Sequence, residues 1–212
     1  MPAIEVEQVS KTLKGQQIYD NASASFERAK ITAITGPNGS GKSVLFRLLC
    51  GFLTPDTGRV KIDPEFLSEG STYPEQFGII IDGPGYLPFA RGYDNLERLA
   101  RIRGVAGHDD IERALHAVGL DPKLTQRVRN YSLGMKQKLA IAQAIMEGQK
   151  VLLLDEPFNG LDRDSTTRIH ELLLRLRDDE GRTIVFTSHI REDVDTLADA
   201  VYEVNDHKLD RL

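Results

Sequence analysis

The sequence predicts an α/β fold with a largely parallel sheet, and three observations support this class. A short apolar, β-branched run at 31–35 ends in a glycine-rich loop and is followed at once by a helical pattern. Strand and helix patterns alternate again over 148–212, whereas residues 92–147 carry only helical periodicity. We therefore expect one domain over 1–212, in which a helical subdomain at about 92–147 is inserted into a core made of 1–91 and 148–212.

Residues 1–91, before the helical block, contain several short apolar or alternating runs of the length of β-strands. Alternating apolar and polar residues indicate half-exposed strands, and the first two are separated by a turn at Lys14-Gly15. The helix after the glycine-rich loop is expected to end near Gly51, and 63–75 is expected to be a loop. The strands are expected at 4–9, 22–26, 31–35, 59–62 and 77–81, the last broken by Asp82-Gly83-Pro84-Gly85.

The second part begins with the helical block, where helices are expected at 95–102, 109–118 and 132–146. Parallel strands of an open sheet bind ligands at their carboxyl ends, so the loops that follow such strands are expected to share one site. After the block, we expect strands at 151–154, 183–187 and 200–204, the last closing the chain, and helices at 163–179 and 192–197.

The glycine-rich loop, GPNGSGKS, matches the pattern G-x-x-x-x-G-K-[ST] between a strand and a helix. Glycines let backbone N–H groups turn towards a polyanion, and the N-terminus of the helix adds partial positive charge. Lys42 is expected to reach the β- and γ-phosphates, and the Ser43 hydroxyl to bind Mg²⁺. A turn that merely caps a core helix is the alternative, but the context favours a nucleoside triphosphate. The predicted nucleotide-binding residues are Gly36, Pro37, Asn38, Gly39, Ser40, Gly41, Lys42 and Ser43.

Two acidic residues follow the apolar strand at 151–154. Asp155 is expected to hold Mg²⁺, directly or through water, and Glu156 to orient and deprotonate an attacking water. His189 follows the strand at 183–187 and is expected to hydrogen-bond a γ-phosphate or to hold the water in line. A solvated carboxylate pair and a structural histidine are the alternatives. The other histidines lack such a placement and are expected to be surface or core residues: His108, His116, His170 and His207.

Composition limits the remaining classes of function. The net charge is −5 and no basic stripe is visible, so we expect no nucleic-acid partner. The single cysteine, Cys50, excludes an internal disulfide framework and is typical of a reducing compartment. No apolar run approaches the roughly 18 residues of a membrane span, and no signal peptide is visible. We therefore expect neither a membrane-crossing segment nor secretion by a visible signal.

The longest helix predicted in the block begins within YSLGMKQ, at 131–137. Ser132 is expected to cap this helix, and Gly134 leaves backbone donors available to an anion. Considered alone, this stretch is more typical of an ordinary capped helix than of a binding site, so its meaning depends on the other motifs.

Five stretches occur in order along the chain: GPNGSGKS, YSLGMKQ, LLLDEP, Gly160-Leu161-Asp162 and Ser188-His189. On these residues the chain resembles the nucleotide-binding subunits of ATP-binding cassette (ABC) transporters over essentially its whole length. The form SLGMKQ is similar to that of bacitracin- and lantibiotic-type export ATPases. The resemblance implies a phosphate-loop NTPase core with a small antiparallel β part and an inserted helical subdomain. It also implies a signature made of Ser132, Leu133, Gly134, Met135, Lys136 and Gln137.

The resemblance further implies an ATPase that uses ATP and Mg²⁺ to power a separately encoded membrane permease, with export as the expected direction. Two subunits, identical or related, would join so that each ATP lies between one phosphate loop and the other subunit's signature. Asp162 would be the D-loop residue that crosses to the opposite site, and 82–94 would face the permease. The expected location is the cytoplasmic face of the cell membrane, peripheral through the permease.

Two positions depart from the family pattern. Leu13 stands near the place of an aromatic that usually stacks on adenine, which predicts weaker base discrimination. Asp82 stands in the place of the Q-loop glutamine and is a further candidate Mg²⁺ ligand.

Two functions of other classes compete with the transporter subunit. The main alternative is a soluble cassette ATPase of DNA repair or translation, but such relatives usually carry long coiled coils or two cassettes, and this sequence has neither. A phosphate-loop kinase or GTPase would leave the signature stretch unexplained. Short cassettes of this size also resemble haem-exporter subunits, so the transported substrate stays open.

Overall fold

The computed structural model describes residues 2–67, 74–83 and 85–212. The strands in these ranges are β1 (Pro2–Leu13), β2 (Gln16–Glu27), β3 (Ile31–Thr35), β4 (Thr57–Ile62), β5 (Phe77–Ile80), β6 (Val151–Leu154), β7 (Thr183–Thr187), β8 (Ala200–Asn205) and β9 (Lys208–Arg211). The α-helices are α1 (Lys42–Leu49), α2 (Gly92–Arg103), α3 (His108–Ala117), α4 (Leu133–Ile145), α5 (Arg163–Asp178) and α6 (Arg191–Leu197). Short 3₁₀ helices lie at Pro64–Phe66 and Val128–Asn130.

The strands form two sheets. The smaller sheet is antiparallel with the order β2-β1-β4, and the larger has the order β5-β6-β7-β3-β8-β9. The first five strands in this order, β5, β6, β7, β3 and β8, are parallel. Strand β9 joins β8 in an antiparallel hairpin. Because β6, β7 and β3 are neighbours, the loops after their carboxyl ends lie side by side. This confirms the predicted α/β class with a small antiparallel part.

The central strands of the larger sheet, β6, β7 and β3, are buried on both faces, and successive residues of these strands enter different cores. On β6, Val151 and Leu153 belong to a core shared with β1, β2 and α1, whereas Leu152 and Leu154 belong to a core shared with helices α2 to α5. Such alternation is expected for a parallel strand that is covered on both sides. Packing on both faces fixes the strand ends from which the site is built.

The first two strands are longer than predicted, with 12 residues each instead of the runs at 4–9 and 22–26. They pair with each other through several register shifts. Each shift interrupts the apolar alternation while the backbone pairing continues, so the sequence pattern ends before the strand does. The turn at Lys14-Gly15 lies where it is predicted.

The prediction that the strand at 200–204 closes the chain is wrong, because β9 follows it. Asp206 and His207 join the two strands with φ angles of 43° and 63°. Two successive positive φ angles are the geometry of a tight type I′ hairpin, for which Asn-Gly and Asp-Gly are the usual sequence signals. Asp-His lacks the glycine, so the sequence carries no hairpin signal at this turn. Only Leu209 of β9 is buried, so the sequence carries no apolar alternation that would predict the strand either.

Helices α2, α3 and α4 lie within the predicted helical block, and no strand separates them in the described chain. The limits of an inserted subdomain at 92–147 stay a prediction. Of the loop predicted at 63–75, residues 68–73 lie outside the described residues, as does Pro84 in the predicted break after β5.

Candidate functional site

The glycine-rich loop joins β3 to α1 and is supported from behind by β2. Gly41 precedes α1 with a φ of 109°, and a Cβ at this position would lie 2.6 Å from Ile18 Cγ2. The buried Tyr19 hydroxyl donates a hydrogen bond to the Gly41 carbonyl at 2.9 Å. Burial raises the pKa of the Tyr19 phenol, so the hydroxyl stays protonated and remains a donor. Backbone conformation and close packing therefore both require glycine at 41.

Lys42 is folded over its own loop. Its Nζ donates to the carbonyl oxygens of Gly36 at 2.8 Å and Pro37 at 3.1 Å, and the residue is only 8% exposed. Ser40 Oγ is also buried and finds no hydrogen-bond partner within the described residues. A buried ammonium group and an unpartnered hydroxyl beside the N-terminus of a helix fit a polyanionic ligand such as a triphosphate.

Asp155 follows β6, and both of its carboxylate oxygens accept hydrogen bonds. Ser43 Oγ donates to Oδ2 at 2.6 Å, and Thr187 Oγ1 donates to Oδ1 at 2.7 Å. Carboxylate and hydroxyl oxygens are hard ligands of the kind that Mg²⁺ prefers. No cluster of three or more His, Cys, Asp or Glu that could hold a metal is found in the parts of the chain that the structure describes. This is expected for a cation that nucleotide phosphates and water largely coordinate.

Glu156 lies beside His189, with 3.1 Å between Glu156 Oε2 and His189 Nδ1. An ionised carboxylate can only accept a hydrogen bond, so the His189 ring donates in this contact. Glu156 has a φ of 48°, which costs about 1–3 kcal/mol for a residue other than glycine. Its backbone N–H donates to Thr187 Oγ1 at 2.7 Å, which helps to hold this conformation. The side chains of Glu156 and His189 both reach solvent, so a substrate can approach them.

The N-terminus of α4 contacts the loop that carries Glu156. Ser132 caps α4, because its hydroxyl accepts a hydrogen bond from the Met135 N–H at 3.1 Å. A Cβ at Gly134 would lie 2.6 Å from the Gly160 carbonyl oxygen, and Gln137 Nε2 donates to the Glu156 carbonyl at 3.4 Å. Leu133, next to the cap, leaves 64% of its surface exposed. The predicted signature thus combines a capped helix end with an exposed apolar side chain.

Comparisons with known proteins identify the family. A family model described as ABC transporter matches residues 19–159, which is more than half of the chain. The uncharacterized ABC transporter ATP-binding protein YybJ of Bacillus subtilis is 39% identical over 98% of this chain and 94% of its own length. The chain belongs to the ABC transporter family.

Other members of the family support the narrower resemblance. The bacitracin transport ATP-binding protein BcrA of Enterococcus faecalis is 34% identical over 93% of this chain, which matches 65% of that relative's length. The lantibiotic transport ATP-binding protein SrtF of Streptococcus pyogenes is 31% identical over 97% of this chain and 88% of its own length. The predicted ABC ATPase is therefore confirmed, and the transporter subunit is favoured over a non-transport ATPase.

A solved cassette has the same fold. The dimeric structure of MJ0796, a bacterial ABC transporter cassette, superposes with a TM-score of 0.86 over 98% of this chain and 97% of that one, at 22% identity. This likeness confirms the predicted ABC ATPase fold. In the described ranges, no helix is both long and apolar enough to span a membrane.

Asp162, the predicted D-loop residue, is the N-cap of α5. Its side chain accepts a hydrogen bond from the Ser165 N–H at 2.8 Å. Hydrogen bonds from the Ser165 side chain and backbone hold the pKa of the Asp162 carboxyl below its usual range. The carboxylate is exposed, and it caps α5. Its contact with a second subunit stays a prediction.

The two departures from the family pattern lie at the edges of the site. The Asp82 carboxylate forms an ion pair with Arg47 of α1, so its negative charge is matched within the chain. No hydrogen bond joins Asp82 to Ser43 or Asp155 within the described residues, and its assignment as a Mg²⁺ ligand stays a prediction. Leu13 is half-buried at the end of β1. The predicted effect on base discrimination also stays a prediction.

Sequence reasoning missed two residues that organise the site. Thr187 bridges Asp155 and the Glu156 backbone, and Tyr19 supports the phosphate loop. Thr187 could have been found, because it is the last residue of an apolar strand that ends beside Ser188-His189. Tyr19 gave no such signal, since its contact with Gly41 depends on how the antiparallel sheet packs behind the loop.

Proposed function

We propose that this ABC family ATPase hydrolyses ATP with Glu156 as the general base, at a site completed by Mg²⁺ bound to Ser43 and Asp155. The observation that carries this proposal is the 3.1 Å contact between Glu156 and His189, beside the hydrogen-bonded group of Ser43, Asp155 and Thr187. A base, its orienting partner and a cation site thus meet at one edge of the sheet, next to the phosphate loop.

The residues present assign a role to each part of the reaction. Backbone N–H groups of the phosphate loop and the Lys42 ammonium stabilise negative charge on the phosphates. Ser43 and Asp155 would hold Mg²⁺, which would neutralise negative charge on the phosphates. Glu156 accepts a proton from the water that attacks the γ-phosphorus, and the bond to the β-phosphate oxygen breaks to leave ADP and phosphate. His189 orients Glu156 through its Nδ1–H, and a doubly protonated His189 ring could also donate from Nε2 to the γ-phosphate.

The signature residues act on the ATP of a second subunit in this proposal. Ser132 leaves the N-terminus of α4 facing outward, with the exposed Leu133 beside it, which suits a protein interface that includes an anion. MJ0796, which shares the fold, is described as a dimer. ATP would then hold two subunits together and hydrolysis would release them.

The segment at 82–94 is proposed to contact a membrane permease. Phe89 is 67% exposed and Leu87 is 48% exposed, although residue 84 lies outside the described residues. A groove of about 440 Å³ between β5, α2 and α4 adjoins this segment and is bordered by Ile102. Exposed apolar residues around a groove are typical of a protein interaction site. Relatives named for bacitracin and lantibiotic transport support a role in transport. Export as the direction and the cytoplasmic membrane face as the location are part of this proposal.

Substitution of the base tests the hydrolysis proposal. Glu156→Gln keeps the size of the side chain but removes its basicity, so kcat is expected to fall by about 10²–10⁴-fold while ATP binding is retained. Steady-state phosphate release and equilibrium ATP binding measure the two quantities. Glu27→Gln, which changes an exposed acid at the end of β2, is the matched control and should leave both unchanged. Normal turnover by Glu156→Gln would refute the assignment of the base.

The permease surface is tested separately. Phe89→Asp places a charge on the exposed segment and should abolish recovery of this chain with detergent-solubilised membrane protein, without changing ATP hydrolysis by the isolated chain. Leu212→Asp, at an exposed apolar residue elsewhere, is the control. Equal recovery of both variants would contradict the proposed surface.

A further inference from the structure

A buried histidine outside the predicted site lies between the two loops that carry Glu156 and His189. His170 is on α5 and is 8% exposed. Its Nε2 lies 3.0 Å from Asp193 Oδ1 of α6, and the carboxylate of Asp193 belongs to a residue that is only 2% exposed. A carboxylate has no proton to give when ionised, so His170 donates in this contact.

Asp193 connects His170 to the backbone around His189. Its second oxygen, Oδ2, accepts a hydrogen bond from Ser188 Oγ at 2.8 Å. The same Ser188 oxygen accepts from the Ile190 N–H at 3.0 Å. Ser188 and Ile190 are the residues immediately before and after His189. The Asp193 carboxylate therefore fixes the short turn from which the His189 ring projects.

His170 also touches the loop that carries Glu156. The Phe158 ring meets the His170 ring edge to face, with 4.7 Å between centroids and an interplanar angle of 86°. Phe158 is buried, stands two residues after Glu156, and packs against Phe186 of β7 in a second edge contact with centroids 5.7 Å apart. A single imidazole thus contacts the Glu156 loop through its ring and is linked to the His189 turn through its Nε2–H and Asp193.

These contacts form a closed circuit. It runs from Glu156 through Phe158 to His170, then through Asp193 and Ser188 to His189, and back to Glu156 across the 3.1 Å contact. We propose that His170 is a positioning residue for ATP hydrolysis, which sets the placement of His189 against Glu156 through Asp193 and Ser188. The proposal rests on the function proposed above, since it assumes that Glu156 and His189 act on ATP.

The physical reason is that a buried carboxylate depends on its donors. Without the donor at 170, Asp193 keeps only the Ser188 hydroxyl within this circuit, and burial of an incompletely satisfied charge is unfavourable. Asp193 would then turn towards water or another donor and release Ser188. A displacement of about 1 Å at a reacting group can lower a rate by as much as a hundredfold, even when the changed residue is remote from the substrate.

Two substitutions separate the donor from the ring. His170→Phe keeps an aromatic ring against Phe158 but has no N–H, whereas His170→Gln keeps a donor at a similar reach but has no ring. We expect His170→Phe to lower kcat by about tenfold to a hundredfold with an unchanged KM for ATP. His170→Gln should recover most of the lost rate.

A control variant accounts for lost stability. Leu176→Ala also opens the core along α5, but Leu176 lies six residues beyond His170 on this helix and is not one of the residues that link Glu156 to His189. It should retain kcat per folded molecule, measured below the onset of its thermal unfolding. Equal losses of kcat in Leu176→Ala and His170→Phe, with no recovery in His170→Gln, would reduce His170 to a packing residue and overturn the proposal.

A spectroscopic measurement is independent of turnover. The chain has five histidines, so their imidazole ¹⁵N signals can be assigned by single substitutions. Glu156→Gln should shift the ring signals of His189, and His170→Phe should shift them in the same direction because it also weakens the contact. Unchanged His189 signals in His170→Phe would contradict the proposal.

The failures of the two proposals are distinguishable. Normal hydrolysis by Glu156→Gln would reject the proposed function, whereas wild-type kcat in His170→Phe would reject only the role of His170. If His170→Phe does not fold, Ser188→Ala breaks the circuit at a smaller side chain. It should lower kcat and shift His189 in the same way, and a Ser188→Ala variant without either effect would also reject the positioning role.

Discussion

The phosphate loop and the edge formed by Asp155, Glu156 and His189 are neighbouring parts of one site, but they are built differently. The loop is contiguous in sequence, and Lys42 bonds to carbonyls five and six residues before it. At the other edge, Thr187 reaches Asp155 across 32 residues and His189 reaches Glu156 across 33. In the proposed function, binding of the phosphates is therefore set by a local motif, whereas hydrolysis depends on how two strand ends are placed. Substitutions in the two regions should separate affinity from rate.

The largest effect on binding is expected at Lys42. Lys42→Ala removes the cation that the loop surrounds, and a charged hydrogen bond of this kind contributes about 1.5–3 kcal/mol. ATP affinity should fall by roughly tenfold to a hundredfold, measured by calorimetric titration. Lys150→Ala, which removes an exposed lysine from the same chain, should bind as the wild type does. Unchanged affinity in Lys42→Ala would mean that the phosphates lie elsewhere.

Substitution of Thr187 should have the opposite effect, because it should lower the rate of hydrolysis and leave ATP affinity unchanged. Thr187→Val keeps the shape of the side chain but leaves the Glu156 N–H and one Asp155 oxygen without a partner, which costs about 1–3 kcal/mol. We expect kcat to fall about tenfold, while Thr187→Ser retains the hydroxyl and most of the activity. Steady-state ATPase measurements test this, and a fall in both variants would show that the methyl group, not the hydroxyl, matters.

The fold and the phosphate loop could be predicted from sequence because their signals are local. Strand, loop and helix follow one another at 31–49, and the Ser132 cap is visible in a few residues. His170 and Asp193 were not predicted as partners because they are 23 residues apart on different helices, and nothing local links them. The same reason explains why Tyr19 was missed and why β1 and β2 were predicted too short. Apolar periodicity along the sequence does not show contacts that only tertiary packing creates.

Gly134 tests the contact between the signature helix and the loop after β6. A Cβ at 134 would lie 2.6 Å from the Gly160 carbonyl, and overpacking of this kind typically costs about 1–3 kcal/mol. Gly134→Ala should lower the melting temperature and weaken ATP-dependent dimerisation severalfold, with ATP binding to the single subunit retained. Gly85→Ala is the control, because no atom lies within 4 Å of a Cβ there and its φ is not positive. Equal stability of the two variants would contradict the close approach.

The smallest effect concerns pH. The pKa of Asp162 is lowered in the folded chain, so its cap stabilises the fold above its unfolded pKa of about 3.9, and this contribution is lost as pH falls through the folded pKa. Asp162→Ala should therefore be less stable than the wild type at pH 7, and the difference should shrink towards pH 3. Chemical unfolding over this range measures it. Asp162→Asn can still cap α5 but does not titrate, so its stability relative to Asp162→Ala should be the same at pH 7 and pH 3. A stability difference between Asp162→Ala and the wild type that is as large at pH 3 as at pH 7 would contradict the carboxylate cap.

The most direct measurement uses Glu156→Gln in the presence of ATP and Mg²⁺. Sedimentation gives the mass of the complex, and analysis of the bound nucleotide gives its ATP content. If the phosphate loop binds ATP, Glu156 hydrolyses it and the signature of a second subunit closes the site, this variant should form a dimer that retains two ATP molecules and dissociates when Mg²⁺ is removed. A variant that stays monomeric with ATP bound would contradict the two-sided site, and one that releases ADP at the wild-type rate would contradict the catalytic edge.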